Sequence, residues 1–147
     1  MDLPGQLEMA REKIADQGLS DRVSFIPANI LDESVSFPTG FDAIWLSQCL
    51  DCFSEAQIIS ILRRAAAALN ETGTLHILEL FWDRQPNKTA AFCLQQTSLY
   101  FTTIANGNSQ MYHSSDLLRC LAEAGLQVVE QRDHVGQFHT WLKCRKA

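Results

Sequence analysis

Met1-Asp2-Leu3-Pro4-Gly5 (residues 1–5) reads as the carboxyl end of a strand turning directly into a helix. After it, Leu7, Met9, Ala10 and Ile14 recur at helical spacing. Pro4 suits the first helical turn, where its missing N–H costs nothing. This is the strand-to-helix junction of an α/β unit. A preceding strand and a glycine-rich loop are expected ahead of such a junction, and the 147-residue sequence holds neither. The expectation is therefore one part of a longer protein, with the first strand of its sheet missing.

Working outward, the alternation continues almost to the end. Gly18 stops the first helix, and Val23-Ser24-Phe25-Ile26 reads as a short strand leading into Ala28-Asn29-Ile30. Pro38 and Gly40 punctuate a turn. Phe41 to Leu46 is apolar enough for a central parallel strand covered on both faces. Ser54 is positioned to cap a helix from Glu55 to Leu69, whose Ile58, Ile59, Leu62, Ala65, Ala66 and Leu69 follow helical spacing. Thr74 to Leu80 is the next buried strand, and Trp82 to Asn87 a polar loop. A helix follows over Thr89 to Ile104, broken at Asn106-Gly107-Asn108. A further helix runs from Ser114 or Ser115 to Ala124, stopped by Gly125. Val128-Val129 and Phe138 to Cys144 read as an antiparallel strand pair about Gly136. Strands separated by helices need crossover connections. The predicted fold class is thus α/β: a mainly parallel sheet with helices on both faces and a C-terminal antiparallel pair, in a single domain over residues 1–147.

Composition narrows the function. With 46% hydrophobic and 20% charged residues the chain can bury an ordinary core. A net charge of −5, with both signs interspersed, argues against a nucleic-acid surface. No apolar stretch approaches the roughly 20 residues of a membrane span, and no basic segment followed by an apolar one marks a signal peptide. Five cysteines, an odd number at 49, 52, 93, 120 and 144, fit reduced thiols in a cytoplasmic protein, with Cys52, Cys93 and Cys120 in or beside segments that read as buried. Cys49-Leu50-Asp51-Cys52 has the spacing of half a zinc site, yet no second pair lies at a suitable distance, and the histidines at 76, 113, 134 and 139 show no ligand spacing. No metal is expected.

The segments DLPGQLEMAR (2–11), DRV (21–23), FDAIWLSQCLDCFSE (41–55), LNETGTLHILE (69–79) and AEAGL (122–126) together resemble class I S-adenosylmethionine-dependent methyltransferases, with their Rossmann-like sheet. Within these the chain is most similar to the small-molecule O-methyltransferase branch. The resemblance implies S-adenosylmethionine as cofactor, a small-molecule acceptor and a homodimer in the full-length protein. It assigns Asp2 to the ribose hydroxyls, Asn29 to the adenine amino group, and Ile30 and Phe53 to the apolar contacts of the adenosine half.

The family's catalytic signature, Leu-His-Asp-Trp-Ser-Asp, is met here by Leu50-Asp51-Cys52-Phe53-Ser54-Glu55, which sets Asp51 where the general base His stands. A carboxylate near its ordinary pKa of about 3.9 is a poor base for a phenol, unless burial raises it. Asp51 and Glu79 are the candidate acid/base pair. Glu79 matches a family glutamate that orients the His, and here it is expected to meet a substrate hydroxyl or Arg84. Trp82, Tyr100, Phe101 and Met111 fall in segments that line the acceptor pocket of relatives, and His139 is a further candidate there. The altered signature and the missing loop also admit another class: a non-catalytic methyltransferase-like module that pairs with another chain.

Overall fold

The computed structural model describes residues 1–105 and 107–147, so Asn106, part of the expected helix break, lies outside the described residues. The chain divides into two compact units, Met1–Ser36 and Phe37–Ala147.

In the first unit, helix α1 (Pro4–Asp16) begins with proline in its first turn. Gly18, at φ +67°, ends it: the Gly18 N–H donates to the Ala15 carbonyl at 2.9 Å and Leu19 N–H to Ile14 at 3.1 Å, the paired bonds of a Schellman stop. The stretch Val23–Ile26, expected as a strand, forms none. Asp2 makes a single parallel bridge to Pro27, with Asp2 N–H on the Ile26 carbonyl and Ala28 N–H on the Asp2 carbonyl. One bridge lacks the run of ladder bonds that defines a strand.

In the second unit, β1 (Phe41–Ser47), α2 (Glu55–Ala68), β2 (Leu69–Glu79), α3 (Lys88–Tyr100), α4 (Ser114–Glu123), β3 (Leu126–Val135) and β4 (His139–Lys146) follow in order. Short 3-10 turns occupy Leu50–Cys52 and Trp82–Arg84, and α3 continues as a π-helical turn over Phe101–Ala105. The four strands form one sheet in the order β1-β2-β4-β3. β1 and β2 are parallel, whereas β2–β4 and β3–β4 are antiparallel. The sheet is thus mixed where the sequence predicts a mainly parallel one, because the C-terminal hairpin supplies two of its ladders and Val23–Ile26 supplies none.

The core lies on one face of this sheet. Leu75, Ile77 and Glu79 alternate inward along β2, opposite Cys144, Leu142 and Thr140 of β4. Ile58, Ile61, Leu62 and Ala65 of α2 and Leu117, Cys120 and Leu121 of α4 are fully buried with them. On the other face Trp45, His76 and Trp141 stack in a row, with centroids 5.4 and 5.6 Å apart, and Trp45 stays 57% exposed. β1 is therefore an edge strand with one open face, not the doubly covered strand its composition suggests. Because β1 and β2 run parallel, their carboxyl ends share one edge of the sheet, where open α/β sheets bind ligands.

Candidate active site

The chain leaves β1 through Gln48, whose φ of +47° lies in the left-handed region and whose N–H donates to the Leu78 carbonyl at 2.8 Å. This turn swings residues 49–53 across the carboxyl end of β2, which is Glu79. The Glu79 carboxyl is 2% exposed, and its Oε1 accepts the N–H groups of Cys49 at 2.9 Å and Leu50 at 2.8 Å. The opposite side of the same turn is held through its carbonyls. Gln110 N–H donates to Asp51 O at 2.9 Å, Ser109 Oγ to Cys52 O at 3.4 Å, and Tyr112 Oη to Phe53 O at 2.6 Å. Ser54 then opens α2 with a capping box, Gln57 Oε1 accepting the Ser54 N–H at 3.0 Å.

The turn thereby sets two carboxyls close together in a poorly solvated place. Burial, and then the charge of Asp51, push the Glu79 carboxyl up to about 7, against the lowering effect of its two N–H bonds. Burial raises Asp51 too, opposed by a 3.6 Å bond from the Cys52 thiol. Burial and the adjacent Asp51 raise the Cys52 thiol in turn. Glu79 Oε2 is buried without a hydrogen-bond partner. Asp51, Glu79, Phe81, Tyr112 and Leu117 are among the residues lining a cavity of about 10 Å³, the room one water needs.

The residues expected to hold a cofactor lie in both units. In the first, Asp2 is exposed at the strand-to-helix junction, its Oδ1 accepting Leu3 N–H at 2.8 Å. The Asp2–Pro27 bridge brings it beside Ala28-Asn29. Asn29 is exposed and closes a local turn, its Oδ1 accepting Leu31 N–H at 3.0 Å, while Ile30 is half-buried. In the second unit, half-buried Phe53 sits on the clamped turn with Asp51.

Glu79 does not meet Arg84, which instead binds Ser114 Oγ at 3.1 Å, Asp83 at 3.3 Å and Asp133 at 3.7 Å. Asp83 caps α4, accepting Ser114 N–H and Oγ at 2.8 and 2.6 Å, and these bonds hold its carboxyl below the usual range. Cys52 and Cys93 are exposed, while Cys120 and Cys144 are buried. His139 lies on β4 with its Nε2 buried and unpartnered. Trp82 packs edge-on to His113 at 4.9 Å and lines an open cleft of about 530 Å³ with Asn87, Lys88 and Phe92. Ser109, Gln110 and Tyr112, which hold the turn over residues 49–53, went unread. They lie some 57–59 residues from the carbonyls they hold, and no local pattern marks them.

Among the described residues no group of three or more His, Cys, Asp or Glu side chains stands ready for a metal ion, and no helix is long and apolar enough to cross a membrane.

A family model described as an O-methyltransferase domain matches residues 1–127. The chain is 26% identical over 125 residues to an L-tyrosine C(3)-methyltransferase of Streptomyces lavendulae, a match covering 85% of this chain and 33% of that protein. It superposes on the S-adenosylmethionine-dependent methyltransferase SibL with a TM-score of 0.81 at 30% identity, over 99% of this chain and 42% of that one. It also shares its fold with NcsB1, an O-methyltransferase from neocarzinostatin biosynthesis solved with S-adenosylmethionine and 2-hydroxy-5-methyl naphthoic acid; the TM-score is 0.79 at 23% identity, over 99% and 40% of the two chains. The chain spans about a third of the length of the curated relatives it matches.

Proposed function

This chain belongs to the O-methyltransferase domain family, and from that membership we propose that it is a partial catalytic domain of an S-adenosylmethionine-dependent enzyme that methylates a small molecule, at oxygen. The observation that carries the reading is the pair of carboxyls, Asp51 and Glu79, at the shared carboxyl end of parallel β1 and β2.

The residues suit the cofactor's chemistry. An exposed carboxylate at a strand-to-helix junction is the usual acceptor for two ribose hydroxyls in open α/β sheets, and Asp2 is such a group. Asn29 offers a carbonyl oxygen with a second lone pair for an adenine amino group. Ile30, beside Asn29 in the first unit, offers apolar surface for the ring, and Phe53 is the apolar candidate of the second unit. When bound, the cofactor supplies an electrophilic methyl group.

The chain's own part is alignment and proton handling. Asp51, raised by burial, takes the proton of the acceptor's hydroxyl, and the clamp on residues 49–53 keeps its carboxyl in place. Trp82 and its cleft are the candidate surface for an aromatic acceptor. NcsB1, solved with 2-hydroxy-5-methyl naphthoic acid, is a precedent for such ligands in that protein. The enzyme acts in the cytoplasm as a homodimer. Phe92, Leu99, Tyr100 and Ile104, all more than half exposed along α3 and its extension, offer the apolar surface an assembly needs.

Calorimetric titration of this chain with S-adenosylhomocysteine, beside Asp2→Ala, tests the reading. Binding that the substitution weakens at least tenfold is expected. A folded chain that does not bind, or binds regardless of Asp2, favours the non-catalytic module, for which the missing His at position 51 also speaks.

A further inference from the structure

Glu79 presents a problem of charge. Its Oε1 is saturated by two backbone donors, and its Oε2 is buried with no partner. An ionised carboxylate there would leave one oxygen uncompensated in a dry site and would face the charge of Asp51, both costly. The groups facing it offer little relief. Cys49, Asp51 and Cys52 come from the turn, Tyr112 gives its hydroxyl proton to Phe53 O, and Thr140, opposite on β4, gives its own to Asp133 at 2.9 Å. Leu117 of α4 is apolar. A neutral carboxylic acid resolves the conflict, because its O–H is a donor. The cavity that Glu79 and Asp51 both line exposes only apolar surface, so no water reaches Oε2 there to offset a charge.

We propose that Glu79 is a protonated positioning residue, so that the pair's negative charge resides on Asp51. The inference that this assists methyl transfer rests on the function proposed above; the protonation does not. Glu79 exchanges no proton with the acceptor. It holds Cys49 and Leu50 through its carbonyl oxygen and leaves Asp51 the one ionised group of the pair able to accept a proton.

The test is Glu79→Gln, which keeps a carbonyl acceptor and a donor in the same shape. In the wild-type chain the thermal midpoint should fall by roughly 5–10 °C between pH 4 and pH 8 relative to the variant, while Glu79→Gln matches wild type near pH 4. A variant that shows the same pH dependence as wild type overturns the proposal. So does one folded but much less stable at pH 4. Infrared spectra of the wild-type chain carrying ¹³C-labelled glutamate need no variant. They should show a neutral glutamic acid carbonyl band at pH 6 that disappears by pH 9, and its absence at pH 6 overturns the proposal. Neither readout uses cofactor, so both stand or fall apart from the methyltransferase reading.

Discussion

Asp51 and Glu79 differ in how the chain surrounds them, and their chemistry differs accordingly. Asp51 is half-buried on a turn, and Glu79 is sealed beneath it. The sign of the pH effect follows from the raised Glu79 carboxyl. Below an ordinary pKa of 4.5 it is protonated folded or unfolded and costs nothing. As pH rises towards about 7 the unfolded chain ionises while the folded one resists, so stability declines, and above about 7 the loss is complete at roughly 3 kcal/mol. Urea denaturation at pH 5, 7 and 9 should follow that slope. In an enzyme containing this chain, Asp51→Asn should lower kcat by about 10²–10⁴-fold with little change in cofactor affinity, measured by steady-state methyl transfer. The sequence showed both carboxyls and that Asp51 replaces the expected His. It was silent on Glu79 Oε1 being committed to two backbone N–H groups, because those donors sit 29 and 30 residues away.

At the scale of elements, local chemistry and long-range packing divide the work. The stop of α1 at Gly18 and the start of α2 at Ser54 were legible, since a positive-φ glycine and a Ser-x-x-Gln capping box act within a few residues. Ser54→Ala should therefore cost about 1 kcal/mol in chemical denaturation. The turn over residues 49–53 is another matter, being held from Glu79 on one side and from residues 109–112 on the other. Tyr112→Phe removes the 2.6 Å bond to Phe53 O and leaves that carbonyl short of a donor. A loss of about 1–2 kcal/mol is expected, with weaker S-adenosylhomocysteine binding through the displaced Phe53. Gly73→Ala would put a Cβ 2.9 Å from the Phe41 carbonyl oxygen and 3.1 Å from that of Asn70, so the bulge joining β1 and β2 must shift.

For the molecule as a whole, the C-terminal hairpin decides the sheet. β4 lies between β2 and β3, and Leu142 and Cys144 complete the layer over which α2 and α4 pack. A chain ending at Gly125 would leave Leu75 and Ile77 on an open edge. It should lose cooperative unfolding by circular dichroism, an outcome the short apolar pair Val128-Val129 does not advertise.

The α/β class, the helix positions and the family were determined by sequence alone, because periodicity, caps and glycines act over one or two turns and short motifs keep their order. Only tertiary structure decided the mixed sheet, the open face of β1 and the clamped turn. Strand order and burial depend on which distant segment arrives as neighbour. A carboxyl becomes a candidate acid only when that neighbour excludes water from it.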